Sequence, residues 1–183
     1  IRQCAFHPET IEIHSLRDGE EVDEWETVMT IEGDYADFAH LETIYLGILA
    51  RQSRIATNVR RVVKAANGKP VLFFPARYDI YQTQESDGYA ALVGGIHGFS
   101  TDANALAAGG KGLGTIPHAL IASYKGDTVA ATEAFDKYVD PSIARIALVD
   151  FDNDCVNTSL AVARKLGKKL AGVRLETSGS MVD

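Results

Sequence analysis

The chain has 183 residues, 46% of them apolar and 23% charged, with a formal net charge of −7 at pH 7. That is ordinary composition for a water-soluble globular protein, and the length fits one large domain or a small domain with part of a larger one. The negative balance argues against broad binding to nucleic acid or acidic membrane surfaces, so any phosphate ligand would need N–H groups, Arg and Lys gathered locally. No apolar run approaches the ~20 residues of a membrane span. Cys4 and Cys155 lie too far apart in sequence for a zinc pattern or a disulfide framework, which makes a reducing cytoplasm the expected location. The start, IRQCAFHPET, has no initiator Met and no signal-peptide pattern, and the end, VRLETSGSMVD, stops in what reads as a loop. A piece of a longer chain is therefore expected.

Residues 5–32 read as short strands: Ile11 and Ile13 alternate with polar neighbours, Asp18-Gly19 centres a turn, and WETVMTIEG supplies a second strand. Next comes a long helical pattern. Phe38, Leu41, Tyr45, Ile48, Ile55, Val59, Val62 and Ala66 recur three, four or seven apart, with Asp34 as N-cap and Asn67-Gly68 as stop. A break near Gly47 or Ser53 would divide it into two helices. After it, compact apolar strands alternate with helices. KPVLFFPA, IHGFS, KGLGT, ARIALVDF and KLAGVRLE read as strands or strand ends. The helices are a segment within YDIYQTQESDGYAALVGG, then TDANALAAGG, PHALIASYKG, DTVAATEAFDKYV with Asp127 as N-cap, and CVNTSLAVARKLG. Such alternation predicts parallel βα units in an open sheet or part of a barrel.

In parallel α/β folds, ligands gather at the C-terminal ends of strands. Here those ends carry ARYD, STDAN, GTIPH, DFDND and RLETSGS. In the stretch GGKGLGTIPH, the glycines permit close backbone approach, and a helix is expected to start at Thr115 or Ile116 with Pro117 in its first turn. Free N–H groups there would suit phosphate. His118 beside them could donate a hydrogen bond, shuttle a proton or accept a phosphoryl group, or could simply be a surface residue on a capped helix. The stretch lacks the Gly-Lys-Ser/Thr ending of a Walker loop. Asp150, Asp152 and Asp154 fit the first three positions of a calcium loop, but Cys155 stands where Gly is required and Ala161 where Glu closes the loop. Asp150 is instead a candidate for ribose hydroxyls or Mg2+, with a solvated cap as the plain alternative. His7, His14, His40 and His97 show no metal-ligand spacing.

Five pieces in order resemble the type II phosphoribosyltransferase family, in particular its nicotinate enzymes: LETIYLGILARQSRIATNVRR, PVLFFPARYD, GFSTDANALAAGGKGLGTIPHAL, ALVDFDND and GVRLETSGS. The resemblance implies an α/β fold, with a small N-terminal open-faced sheet domain over residues 1–68 and part of an irregular α/β barrel over 69–183. It implies a homodimer that joins nicotinate to phosphoribosyl pyrophosphate, giving nicotinate mononucleotide and pyrophosphate. ATP is coupled through a phosphohistidine, Mg2+ accompanies the phosphorylated substrates, and no tightly bound organic cofactor is expected. By the same resemblance His118, Asp150 and Glu176 are catalytic. Arg77, Asp102, Asn104, Thr115, Arg174, Ser178 and Gly179 bind substrate. The sequence departs from the family pattern at Tyr78, where a second arginine is common, at Asp102 and Ala103, and at Glu176 followed by Thr177.

Developing positive charge on the ribose carbon suits a carboxylate neighbour, and arginines suit phosphates and a pyridine carboxylate. Three rivals stay open. A quinolinate enzyme would need no ATP-linked histidine and a more basic pocket. A non-catalytic subunit of the same fold would tolerate the altered motifs. A sugar-phosphate aldolase or isomerase would want a strand-end lysine, for which Lys111 is the one candidate.

Overall fold

The alternation around Ile13 does produce a strand. In the computed structural model, which describes residues 1–180, β1 (Glu12–Ser15) pairs antiparallel with β2 (Met29–Glu32), Ile13 opposite Ile31. The Asp18-Gly19 turn sits inside a longer connection, with Gly19 at φ +93°. Arg60 holds that connection through Glu21 at 2.8 Å and the Gly19 carbonyl at 3.3 Å. Ile11 packs with Phe38 and Leu41 in a small core that also receives Ile13, Ile31 and Tyr45.

The helical pattern divides, but not at Gly47 or Ser53. Asp34 caps α1 (Tyr35–Phe38) by accepting from the Ala36 N–H, a 3-10 turn follows over Ala39–Leu41, and α2 (Glu42–Ala65) then runs unbroken. One glycine weakens a helix by about 1 kcal/mol, too little to open a long hydrogen-bonded run. The division falls instead where Phe38 and Leu41 both turn into the Ile11 cluster. Asn67 and Gly68 both take positive φ and end the run, a conformation that Gly reaches without a Cβ clash and that Asn tolerates. Of the predicted apolar face Val59 is buried, whereas Ile48 and Val62 remain 58% and 54% exposed.

Two βαβ units follow. β3 (Leu72–Phe73), α3 (Gln84–Val93) and β4 (Gly98–Phe99) form the first, with the strands parallel. α4 (Asp102–Ala105) comes directly after it. β5 (Arg145–Leu148), α7 (Cys155–Leu166) and β6 (Leu170–Arg174) form the second, again parallel, with a register irregularity at Arg145/Ile146. Between them lie α5 (His118–Ser123) and α6 (Thr128–Tyr138). Asp127 and Asp154 cap α6 and α7 by accepting from the Ala130 and Asn157 N–H groups. The first unit belongs to a compact body spanning Ile1–Gly112, the second to a body beginning at Leu113. The latter is built on Ile116, Ile121, Ala131, Leu148, Val149, Val162 and Leu166, all at most 9% exposed. Fully burying a large aliphatic side chain contributes about 1.5–3 kcal/mol, so this cluster is what seats the β5 and β6 ends.

KGLGT is not a strand. Residues 110–116 are irregular, and one ladder-like bond, from the Ile116 N–H to the Ile146 carbonyl at 3.5 Å, is recorded there. The glycines offer no side chains to hold a register. Gly112 instead lies against the Thr101 backbone, where a Cβ would come within 2.5 Å.

Candidate functional site

Ala147, Leu148 and Val149 are all fully buried, and this apolar run delivers Asp150 just past the end of β5 with its side chain only 1% exposed. A buried carboxylate needs donors. Asp150 Oδ1 lies 3.1 Å from His118 Nε2. Oδ2 accepts from the Glu176 N–H and from the Thr177 hydroxyl, the latter at 3.1 Å. Burial works against the charge of Asp150, but these bonds outweigh it and hold the carboxyl below its ordinary range. Both oxygens being occupied by protein donors, Asp150 serves here as a clamp for His118 and the β6 loop. Its expected contact with ribose hydroxyls or Mg2+ would have to displace those donors.

His118 is the first residue of α5, with Pro117 as the residue before the helix at ψ 155°. The helix therefore starts later than Thr115 or Ile116 and is six residues long. Pro117 adopts the extended backbone that its neighbourhood favours, which delays the first helical φ/ψ pair. His118 is 42% exposed at its side chain, and its Nδ1 faces Glu176 Oε2 at 3.8 Å. Arg174, at the end of β6, holds that Glu176 oxygen at 2.8 Å and donates to the Thr115 hydroxyl at 2.7 Å. The Phe151 ring lies 6.3 Å from the imidazole, centroid to centroid. Thr115, His118, Asp150, Arg174 and Glu176 are thus brought together, with Thr177 added. Ser178 and Gly179 are exposed on the same loop, and Ser178 Oγ lies 2.9 Å from Ser180 Oγ.

The other expected residues lie in the first body. Asn104 is fully buried, its amide donating to the Gln84 carbonyl at 2.7 Å and its side-chain oxygen accepting from the Thr101 hydroxyl at 2.9 Å. Asp102 accepts from the Gly112 N–H at 2.8 Å and so ties the glycine-rich stretch to α4. Arg77 is exposed in the turn after β3. That turn is anchored by Asp79, which pairs with Arg51 of α2, and Arg51 also grips the buried Asp87 of α3 through bonds of 2.9 and 2.8 Å. The Arg51–Asp79–Asp87 group escaped the sequence reading because its members come from three elements. Thr177 escaped it as well. Its one signal was a hydroxyl directly after the Glu176 carboxylate.

Among the described residues no group of three or more His, Cys, Asp or Glu side chains is arranged to hold a metal ion. Nor is any helix there long and apolar enough to cross a membrane.

Residues 4–53 match the family model for the quinolinate phosphoribosyl transferase N-terminal domain. The chain is 29% identical over 179 residues to a nicotinate phosphoribosyltransferase of Bacillus subtilis, covering 90% of this chain and 34% of that protein. It is 30% identical over 159 residues to one from Mycobacterium tuberculosis, covering 82% of this chain and 34% of that protein. A nicotinate-nucleotide pyrophosphorylase structure from Pyrococcus furiosus superposes with a TM-score of 0.87 at 40% identity, covering 93% of this chain and 44% of that one. Human nicotinic acid phosphoribosyltransferase superposes at 0.69 with 17% identity, covering 96% of this chain and 44% of that one, which speaks to the fold alone. The chain thus spans about a third of the length of the curated relatives it matches.

Proposed function

The chain belongs, as a partial-length match, to the type II phosphoribosyltransferase family, and from that premise we propose that the whole protein makes nicotinate mononucleotide from nicotinate and phosphoribosyl pyrophosphate, with ATP coupled through His118. The observation that carries this reading is His118 set between two carboxylates at the ends of β5 and β6, 3.1 Å from Asp150 and 3.8 Å from Glu176. With Nε2–H donating to Asp150, the lone pair sits on Nδ1. That nitrogen attacks the terminal phosphorus of ATP. The N–P bond forms as the P–O bond to ADP breaks, and ADP leaves. Arg174 supplies fixed positive charge beside the arriving phosphoryl group. Glu176 then faces the ribose side, where a carboxylate stabilises the positive charge that develops as pyrophosphate departs. Mg2+ belongs to the substrates, accompanying phosphoribosyl pyrophosphate and ATP. The homodimer and the roles of Arg77, Asp102, Asn104, Thr115, Ser178 and Gly179 in substrate binding remain part of this proposal.

Two observations favour a second reading. The family model is named for the quinolinate enzymes, and the Pyrococcus structure shares 40% identity. A quinolinate phosphoribosyltransferase would need no phosphohistidine, and Asp150 and His118 would then hold the loop and ribose only. The test is product formation by the full-length protein with phosphoribosyl pyrophosphate, Mg2+ and either nicotinate or quinolinate, each with and without ATP. Mononucleotide from nicotinate, stimulated by ATP and lost in His118→Ala together with 32P labelling of the protein, is expected. Product from quinolinate alone, indifferent to ATP, would establish the rival.

A further inference from the structure

We propose that Thr177 is a positioning residue that fixes the tautomer of His118 through Asp150; the consequence for catalysis rests on the reading above, the geometry does not. The terminal torsion of an aspartate is broad, so a carboxylate turns easily about its last bond unless its oxygens are held. Asp150 is held at one oxygen by a single loop. Glu176 N–H and Thr177 Oγ–H both come from the residues after β6, and both end on Oδ2, the hydroxyl at 3.1 Å. A carboxylate only accepts, so the threonine must donate. Two donors on Oδ2, one from the backbone and one from a side chain, hold the plane of the group. That plane presents Oδ1 to His118 Nε2 at 3.1 Å. With Asp150 only 1% exposed, water is not at hand to replace a lost donor.

The backbone donor from Glu176 survives a side-chain change at Thr177, but by itself it holds Oδ2 by one hydrogen bond and leaves the carboxylate more freedom to turn. The hydroxyl removes that freedom. His118 Nε2 is thereby kept protonated, and Nδ1, on the side of Glu176 and Arg174, keeps its lone pair. The hydrogen bond of the Thr177 hydroxyl goes to Asp150 and not to the imidazole, so its effect on His118 passes through Asp150.

The experiment uses the full-length protein labelled with 15N-histidine, with the His118 ring signals identified by their loss in His118→Asn. Spectra are taken over a series of alkaline pH values, and the tautomer is read where the ring signals no longer change with pH. Wild type is expected to show one tautomer, protonated at Nε2. Thr177→Val keeps the shape but has no donor, and a several-fold rise in the form protonated at Nδ1 is expected. Thr177→Ser restores the donor and should restore the wild-type signature. ATP-dependent phosphorylation of the protein should slow on the order of tenfold in the valine variant, the effect of one hydrogen bond to a charged group. A wild-type tautomer in Thr177→Val, or a disturbed one in Thr177→Ser, overturns the inference. So does a wild-type protein that is not protonated at Nε2. If the tautomer shifts as expected but no variant, wild type included, is phosphorylated, Thr177 keeps its role and the ATP-coupled reading falls.

Discussion

Asp150→Asn tests the core of the proposed chemistry with almost no change of shape. An asparagine has one accepting oxygen. The Glu176 N–H and the Thr177 hydroxyl both need an acceptor at the Oδ2 position, so the oxygen is expected to stay there. The amide NH2 then takes the Oδ1 position, 3.1 Å from His118 Nε2. A donor facing Nε2 drives the imidazole proton to Nδ1, the nitrogen that has to attack. In Ser-His-Asp triads the corresponding Asp→Asn change lowers kcat about 10⁴-fold by the same inversion. The His118 side chain is 42% accessible, so part of the population can escape by ring rotation. We expect a loss of about 10²–10⁴-fold in the rate of ATP-dependent labelling. The stability loss should be only about 1–3 kcal/mol, because the two loop donors keep an acceptor. The assay is rapid-quench labelling with terminally 32P-labelled ATP, with circular dichroism to show that the variant is folded. Labelling within about threefold of wild type, smaller than the ~10² expected for general acid–base support, would refute the tautomer argument.

Three further outcomes follow from other parts of the molecule. Arg145 is nearly buried and gathers the end of α6, donating to the Asp136 carboxylate at 3.0 Å and to the carbonyls of Asp136, Val139, Asp140 and Ile143; Arg145→Met should destabilise by about 2–3 kcal/mol, because it takes the donor from these carbonyls and leaves the Asp136 carboxylate to Lys169, and denaturant unfolding showing under 1 kcal/mol would contradict this. Gly88→Ala would normally stabilise a helix interior by about 0.5–1 kcal/mol, yet the new Cβ would come within 2.0 Å of the Asn104 carbonyl. Overpacking against backbone costs about 1–3 kcal/mol or more, so a lower melting temperature is expected, and a higher one would show that α3 and α4 separate easily. The third concerns pH. The hydrogen bond to Asp37 raises His7 above its ordinary 6.5, with Glu9 and Asp34 adding to it, and the same bond lowers Asp37 below 3.8. The histidine's contribution is complete below 6.5 and lost as pH rises through its raised value; the aspartate's is complete above 3.8 and lost as pH falls through its lowered value. Hydrogen exchange over residues 1–10 should therefore be slowest near pH 5 and faster at pH 8, after correction for intrinsic rates, and His7→Gln should remove the difference between those two values. A difference that persists in His7→Gln would assign the effect to another group.

Much of the local architecture was legible along the chain. Asp34 and Asp127 cap their helices as their positions suggest, because a short acceptor side chain reaches an N–H two or three residues on; Asp154, which the sequence offered only as a calcium-loop position, caps α7 in the same way. Asn67-Gly68 stops α2 because those residues tolerate positive φ. The apolar run ending in Asp150 and the run ending in Arg174 became parallel neighbours, as alternating strands and helices predict. His118 and Asp150 were singled out separately, each at the end of its own segment.

Their meeting across 32 positions in sequence was decided by the fold. So was the bond from Thr177 to Asp150 across 27 positions, which no spacing rule announces. The glycine stretch read as a strand end but lies irregular, because Gly112 is pressed against the Thr101 backbone. The reason is the same in each case. Caps, turns and helical periodicity arise from bonds between near neighbours, whose geometry the residue types carry with them. Which buried donor finds which acceptor depends on how packed elements fall against one another, and only the completed core of Ile116, Ile121, Leu148, Val149 and Val162 determines that.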